Sequence, residues 1–283
     1  MHAFIAELVG TLGSADELWE RPVAAHLSPL EWLRAWDDLL VHLVGARSRS
    51  ITRDPPLISP PADLVQACAD LDIGRTLLID NAGAANDRLG MIGPAVSDWL
   101  GIERRACTVK LSVSPAGSGL FAHFDQHDSI QVQLSGTKVW RLSQAPAVLW
   151  PLDPYVIAAE PTGELRDYCS WDNLRPGVLR EFELRPGDVL TVPRGYWHET
   201  YAVEPSIGLI VCLAVDSWVD LLERRFRRDA VRNASWREPM YGAWSAGELS
   251  TGARDHIRKL LRTSFNGDSA VLRHDLDELA TDR

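Results

Sequence analysis

The chain lacks paired cysteines, long apolar runs and an excess of positive charge. Its four cysteines are scattered over 283 residues without any Cys-x-x-Cys spacing, which argues against a structural zinc site. No stretch is long and apolar enough to predict a membrane span, and no signal peptide is recognisable at the N-terminus. The sequence therefore predicts a cytoplasmic protein without membrane contact.

The charge balance is acidic. A formal net charge of −10 argues against nucleic acid as a partner. Residues 223–228 concentrate arginines, and we interpret them as the solvated face of a helix. The hydrophobic fraction of 46% is that of a globular protein with a core. A chain of this length accommodates one large catalytic domain and a smaller extension.

Hydrophobic periodicity changes twice along the chain. Residues 1–75 have helical spacing, with predicted helix starts at Ser14 and Ser28, and predict a helical region that packs on a central core. Residues 76–216 are rich in short strands separated by Gly and Pro, which predicts an antiparallel barrel or double-sheet jelly roll. Helical spacing returns over residues 217–283. The expected fold is mainly β, a double-stranded β-helix of the cupin type with flanking helices.

One group of candidate metal ligands stands out. His123 and Asp125 are one residue apart, so on a strand both side chains lie on the same face. His198 ends a segment in which Gly187 and Gly195 mark two turns, a pattern that returns it beside the other two. Two imidazoles and one carboxylate leave half of an octahedral metal open, which is typical of non-haem Fe(II) oxygenases.

Lys138 is a charged residue in an otherwise apolar strand. Its ammonium either reaches outward to solvent or meets an anion inside the protein. Beside a metal centre, we favour a pairing with the distal carboxylate of a dicarboxylate cosubstrate.

Other polar residues are candidates to line the same pocket. Three of them share one face of the strand after the first ligand pair: Ser129, Gln131 and Gln133. Thr200 follows His198 by two and is predicted to face the pocket as well. His127 and Asp128 are interpreted as supporting or rim residues and not as ligands, with a plain surface loop as the alternative.

These segments resemble the JmjC-type 2-oxoglutarate oxygenases of the cupin superfamily, and most of all their ribosomal-oxygenase branch. Three patterns occur in order: His-aromatic-Asp-x-His/Tyr-Asp at 123–128, Gln-x-x-Gly-x-Lys/Arg-x-Trp-Arg at 133–141, and Gly-Asp-x-Leu-x-x-Pro-x-Gly-x-x-His at 187–198. Trp-Glu-Arg-Pro at 19–22 is similar to a Trp-x-Lys/Arg-Pro segment of that branch. The resemblance implies that His123, Asp125 and His198 hold Fe(II) and that Lys138 anchors 2-oxoglutarate.

The activity implied is hydroxylation of an unactivated C–H bond in a peptide or protein side chain. The cosubstrates 2-oxoglutarate and O₂ would be converted to succinate and CO₂. A free or carrier-bound amino acid or a small natural product is the alternative substrate, and lysine demethylation and tRNA oxidation rank lower. Two other classes stay open: a zinc or manganese cupin that acts as an isomerase or hydrolase, and a cupin-fold binding protein without turnover.

The chain departs from this branch at two places. Leu120 stands where a related hydroxylase has a threonine that contacts the cosubstrate, so that contact must come from elsewhere. The segment after Asp216 is short compared with the dimerising helices and winged-helix domain of the branch. We expect no complete winged helix there, and a homodimer through the helices after Trp218 is a hypothesis by analogy.

Overall fold

A computed structural model of the chain describes residues 2–13, 18–27, 46–60, 62–157, 164–169, 174–245 and 248–264. The predicted helix starts at Ser14 and Ser28 lie outside these residues. The chain divides into two units, Met1–Val215 and Asp216–Arg283. In the part of the chain that is described, no helix has the length and apolar character that a membrane crossing requires.

The first unit is built on two antiparallel sheets. The larger sheet contains β1 (Ala24–His26), β2 (Arg47–Thr52), β3 (Leu57–Ile58), β4 (Ala62–Asp63), β5 (Thr76–Ile79), β6 (Cys107–Ser114), β8 (Asp128–Ser135), β12 (Asp188–Val192) and β14 (Ser206–Leu213). Its spatial order is β1-β12-β8-β14-β6-β5-β2-β3, with β4 paired to β2. The smaller sheet contains β7 (His123–Phe124), β9 (Lys138–Ser143), β10 (Tyr155–Val156), β11 (Leu179–Leu184) and β13 (His198–Ala202). Its order is β10-β7-β13-β9-β11.

Alternation along the strands gives each sheet an inner and an outer face. On the inner faces, Trp140 and Leu142 of the smaller sheet pack with Leu190 and Val192 of the larger one. Polar side chains fill other inner positions of β6 and β8. The two sheets therefore enclose a partly polar interior, and the predicted double-sheet core is confirmed.

Helices cover the outer face of the larger sheet. The helices of the first unit are α1 (His2–Leu12), α2 (Leu64–Asp72), α3 (Ala82–Ala85), α4 (Asp87–Gly90), α5 (Ile92–Leu100) and α6 (Leu165–Tyr168), with a 3₁₀ turn at Arg104–Ala106. Phe4 and Leu8 of α1 and Val96 of α5 belong to one buried cluster with Val109 and Ile130 of the sheet. α5 ends at Gly101, which adopts a φ of 66° that favours glycine.

The N-terminal region differs from the expectation of a purely helical segment. β1 pairs with β12, and β2 pairs with β5, so residues before 76 extend the larger sheet on both sides. The strands concerned span six residues or fewer, too few for an alternating pattern to distinguish them from loops. Their pairing depends on partners far away in the sequence, which the local pattern does not contain.

The second unit contains two main helices, α7 (Trp218–Ala230) and α8 (Thr251–Ser264). α7 begins with a capping box in which the Ser217 hydroxyl accepts from the backbone N–H of Asp220 and the Asp220 carboxylate accepts in return. A 3₁₀ turn at Ala234–Arg237 and a short hairpin of β15 (Trp244–Ser245) and β16 (Glu248–Leu249) lie between the helices. The division after Val215 lies beside the predicted start of this extension at residue 217.

Candidate metal centre

The three predicted ligands come together at the junction of β7 and β13. His123 and His198 are direct partners in the antiparallel pairing of these strands, and their ring centroids are 4.1 Å apart. Asp125 follows β7, with carboxylate oxygens 3.9 Å from Nε2 of His123 and 3.6 Å from Nε2 of His198. One donor atom from each residue lies within 4.8 Å of the other two. Two imidazole nitrogens and a carboxylate oxygen at this spacing fit a divalent metal ion.

Both imidazoles are oriented by the backbone two residues before them. Nδ1 of His123 is 2.8 Å from the Phe121 carbonyl oxygen, and Nδ1 of His198 is 3.0 Å from the Tyr196 carbonyl oxygen. A carbonyl oxygen only accepts, so Nδ1 carries the proton and donates in both rings. Each Nε2 is therefore left with a lone pair that points toward Asp125, as metal ligation requires.

The electrostatics hold Asp125 and His198 in the protonation states that metal binding requires. Burial lowers the pKa of His198 to about 4, and the neighbouring His123 acts in the same direction. Burial raises the pKa of Asp125, but the imidazoles of His127, His123 and His198 outweigh it and bring the pKa down to about 2. At neutral pH His198 is neutral and Asp125 is ionised, which are the forms that bind metals.

The ligand segments are the stretch that contains His123 and Asp125 and the stretch that contains His198. Residues that alternate with these ligands pack on the outer face of the smaller sheet. Phe124 lies between the first two ligands in sequence and Trp197 precedes the third, and their rings meet edge to face at 5.3 Å. Tyr155 contacts both at 5.7 Å. Trp197 is only 1% exposed. It therefore belongs to the core, where it anchors the strands that carry the ligands.

The turn before His198 requires a glycine. Gly195 has a φ of +78°, and a Cβ there would lie 1.9 Å from the Val148 carbonyl oxygen. Its backbone N–H donates to the Asp125 carbonyl oxygen at 2.9 Å. The turn and the carboxylate ligand are thus joined directly through the backbone, which explains how the distant third ligand is positioned.

Asp128 is buried, and its partner is Arg194 in the same turn. Its carboxylate accepts from the Arg194 backbone N–H at 2.9 Å and from the guanidinium at 2.8 and 3.0 Å. His127 lies with Nε2 3.7 Å from the Asp125 carboxylate. Burial lowers the pKa of His127, but the Asp125 charge outweighs this and the net effect is a raised pKa. Both residues support the ligand segments, and neither belongs to the group of donors that the structure brings together.

Lys138 lies inside the barrel and is 1% exposed. Its Nζ donates to the Ser112 hydroxyl on the opposite sheet at 2.9 Å. Burial lowers the pKa of Lys138 to about 7. Among the described residues no carboxylate lies within ion-pair distance of its nitrogen. Sequence analysis did not identify Ser112, although polar residues at alternate positions of β6 were a signal for an inward polar face.

The other predicted pocket residues are buried, and Gln133 and Thr200 form hydrogen bonds with backbone groups. Gln131 donates to the Ser129 hydroxyl at 2.8 Å. The Gln133 amide donates to the carbonyl oxygens of Ser135 and Gly136 in the turn before β9. The Thr200 hydroxyl accepts from the backbone N–H of Leu120 at 3.0 Å. Their contacts with a cosubstrate stay predictions.

Comparisons with known proteins agree with this architecture. A family model described as the JmjC domain matches residues 101–221. The uncharacterised protein YxbC of Bacillus subtilis is 28% identical over 152 residues, which are 52% of this chain and 46% of that protein. The ribosomal protein uL16 3-hydroxylase of Escherichia coli is 28% identical over 118 residues, which are 40% of this chain and 26% of that protein. The chain thus spans less than half the length of these relatives.

A solved structure shares the fold. YcfD, a ribosomal oxygenase from Escherichia coli in complex with cobalt and 2-oxoglutarate, superimposes with a TM-score of 0.57 at 17% identity. The match covers 89% of this chain and 65% of YcfD. The resemblance to the JmjC-type oxygenases that the motifs predicted is confirmed. Residues 101–221, which contain the three predicted ligands, are thus similar to the JmjC domain.

Proposed function

We propose that the protein is an Fe(II)- and 2-oxoglutarate-dependent oxygenase that hydroxylates a C–H bond of a peptide or protein side chain. The reaction consumes O₂ and 2-oxoglutarate, places one oxygen atom on the substrate and the other in succinate, and releases CO₂. The relatives named as a ribosomal protein hydroxylase and a ribosomal oxygenase support this class of substrate.

The observation that carries the proposal is the buried ammonium of Lys138 inside the same barrel as the three metal ligands. A buried charge without a counter-ion is costly, and its lowered pKa reflects that cost. A ligand that brings a carboxylate to this position removes the cost. A dicarboxylate that also chelates the metal satisfies the ammonium and the open coordination positions together.

Different residues of the chain would bind the metal and the cosubstrate. His123, Asp125 and His198 would hold the iron, which supplies the oxidative chemistry when it is bound with 2-oxoglutarate and O₂. Lys138 and Ser112 would bind and orient the distal carboxylate. Burial of the interior between the sheets excludes water from the reacting groups.

The test is succinate release from 2-oxoglutarate with added Fe(II), compared between the wild type and Asp125→Ala. We expect turnover in the wild type and none in the variant, because the variant lacks the carboxylate ligand. Absence of iron binding and of turnover in both proteins would refute the proposal. A zinc or manganese isomerase or hydrolase would show metal binding that is insensitive to 2-oxoglutarate.

The substrate would be identified by mass spectrometry of candidate peptides for the gain of one oxygen atom. A gain on a free or carrier-bound amino acid, with none on peptides, would favour the alternative substrate class. Metal and 2-oxoglutarate binding without oxidation of any C–H compound or turnover would favour a binding protein. We also propose a homodimer through α7, which exposes several large apolar side chains.

A further inference from the structure

A second charged cluster lies on the inner side of the larger sheet. The Arg49 guanidinium donates to both carboxylate oxygens of Asp80 at 2.8 Å. Lys110 places its Nζ 3.7 Å from the same carboxylate. The cluster therefore has two positive charges and one negative charge. All three side chains are partly buried, with 21% to 31% of each exposed.

Strand register places this cluster on the inner face of the barrel, the face on which Ser112 contacts Lys138. Lys110 and Ser112 are two apart on β6, so both side chains lie on the inner face of the barrel. Ser112 already contacts Lys138. Lys110 is thus the neighbour of Ser112 on the inner face and also lies against the Arg49–Asp80 pair.

Lys110 has hydrogen-bond donors that are not used in this cluster. Asp80 is already satisfied by Arg49 through two parallel hydrogen bonds, the strongest geometry for this pair. The Lys110 Nζ lies 3.7 Å from the Asp80 carboxylate, which is beyond hydrogen-bond distance. The contact is therefore an ion pair without a hydrogen bond. Within the described residues Lys110 makes no shorter polar contact that would occupy its three donors.

We propose that Arg49 and Lys110 form a carboxylate-binding rim that selects an acidic substrate. The occupant would be a carboxylate near the oxidised carbon, either an Asp or Glu side chain or a free α-carboxylate. Asp80 positions both cations and leaves one net positive charge for the substrate. This inference rests on the proposed oxygenase function and specifies its substrate class.

A carboxylate fits better than the other anions that two such cations could take. In the structure Arg49 and Lys110 both lie beside the Asp80 carboxylate, with a nitrogen of each near the same oxygen, so the two cations are spaced closely enough to share one carboxylate. A phosphate carries more charge than the one net positive charge that the rim offers.

The test uses the full chain loaded with Co(II) and 2-oxoglutarate, which cannot turn over. The probes are N-acetyl-glutamate methylamide and its neutral counterpart N-acetyl-glutamine methylamide. The measurement is paramagnetic broadening of the probe's proton lines, with Zn(II)-loaded protein as the diamagnetic reference. Broadening reports only probe that is bound near the metal.

We expect the glutamate probe to be broadened and the glutamine probe to remain sharp. Lys110→Met and Arg49→Met should each weaken binding of the glutamate probe about tenfold, because a hydrogen-bonded charge is lost. Lys110→Arg should retain binding. Lys259→Met in α8 is the matched control and should behave like the wild type.

Three results would overturn the inference. The first is equal broadening of both probes, and the second is unchanged broadening of the glutamate probe in Lys110→Met. The third is loss of 2-oxoglutarate binding in Lys110→Met, which would assign Lys110 to the cosubstrate. Failure of the proposed function looks different, because the Co(II) absorption of the wild type would then not respond to 2-oxoglutarate at all.

Discussion

The carboxylate of Asp128 accepts three hydrogen bonds from a single residue, Arg194, across 66 positions of sequence. One comes from the backbone and two from the guanidinium. Asp128 begins β8 soon after Asp125, and Arg194 lies in the turn that leads to His198. This buried pair therefore holds the two ligand segments at a fixed separation.

Breaking the pair should reduce both stability and metal affinity. We expect Asp128→Asn to lower the free energy of unfolding by about 3 kcal/mol, because a buried guanidinium loses its counter-ion. Co(II) affinity should fall roughly tenfold, since the ligand segments become less ordered. Urea unfolding and a Co(II) titration measure the two effects.

An apolar pair is the matched control for that experiment. The double variant Asp128→Leu/Arg194→Met removes both charges and should recover most of the lost stability. If Asp128→Asn alone were as stable as the wild type, the pair would have no role in positioning the turn.

Lys138 should make the protein without 2-oxoglutarate more stable at high pH. Its pKa in the folded protein is about 7, against an ordinary value of 10.5. Between these values the unfolded chain binds a proton that the folded chain does not, so stability rises with pH over this range. Lys138→Met should stabilise the protein at pH 7, by at most about 5 kcal/mol at ~1.4 kcal/mol per pH unit. Thermal unfolding of the wild type and Lys138→Met at pH 7 and pH 9.5 tests this. The prediction would be wrong if the variant were no more stable than the wild type and its stability changed with pH in the same way.

The same lysine should make 2-oxoglutarate binding depend on pH. The bound dicarboxylate requires a charged ammonium, so binding takes up a proton when Lys138 is neutral. Affinity should therefore decrease as pH rises above about 7, and calorimetry in buffers of different ionisation enthalpy should show proton uptake. Lys138→Met should weaken binding roughly hundredfold and remove the pH dependence. Co(II) affinity in the absence of 2-oxoglutarate should be unchanged and serves as the control.

The aromatic cluster behind the metal ligands should contribute to metal binding without touching the metal. Trp197→Ala removes a side chain that packs against Phe124 and Tyr155, and should cost about 3–5 kcal/mol of stability. Co(II) affinity should decrease more in this variant than in Trp197→Phe, which keeps a ring at the same place. Trp244→Ala changes a tryptophan that is 62% exposed and should alter stability by less than about 0.5 kcal/mol.

The proposed homodimer can be tested on α7. Trp218 and Leu222 are one helical turn apart and are 81% and 64% exposed. We expect light scattering to give a dimer mass for the wild type and a monomer mass for Trp218→Glu/Leu222→Glu. The circular dichroism of the variant should stay unchanged. A monomer mass for the wild type would rule the homodimer out.

Patterns local in sequence predicted most of the core. Short apolar runs separated by Gly and Pro predicted that residues 76–216 are rich in strands, and β5, β6, β8, β9, β11, β12, β13 and β14 lie there. The grouping of the three candidate ligands was also predictable. His123 and Asp125 are one residue apart, and Gly187 and Gly195 mark the turns that bring His198 back to them.

Contacts between distant segments were not predictable in this way. Asp128 was interpreted as a supporting, rim or surface residue, since its partner Arg194 lies far along the chain. The Arg49–Asp80–Lys110 cluster joins three strands, and one of them, β2, lies in a region expected to be helical. The pairing of β5 with β2 on one side and with β6 on the other brings these charges together.

Both histidine ligands take their orientation from the carbonyl group two residues earlier in their own segment. Each segment therefore contains its ligand, the group that fixes the ring and the aromatic residue that anchors the strand. Together with the Asp128–Arg194 pair that joins them, these segments should be transferable. Grafting residues 121–128 and 194–198 onto another double-sheet barrel should carry metal binding with them, while cosubstrate choice would remain a property of the host.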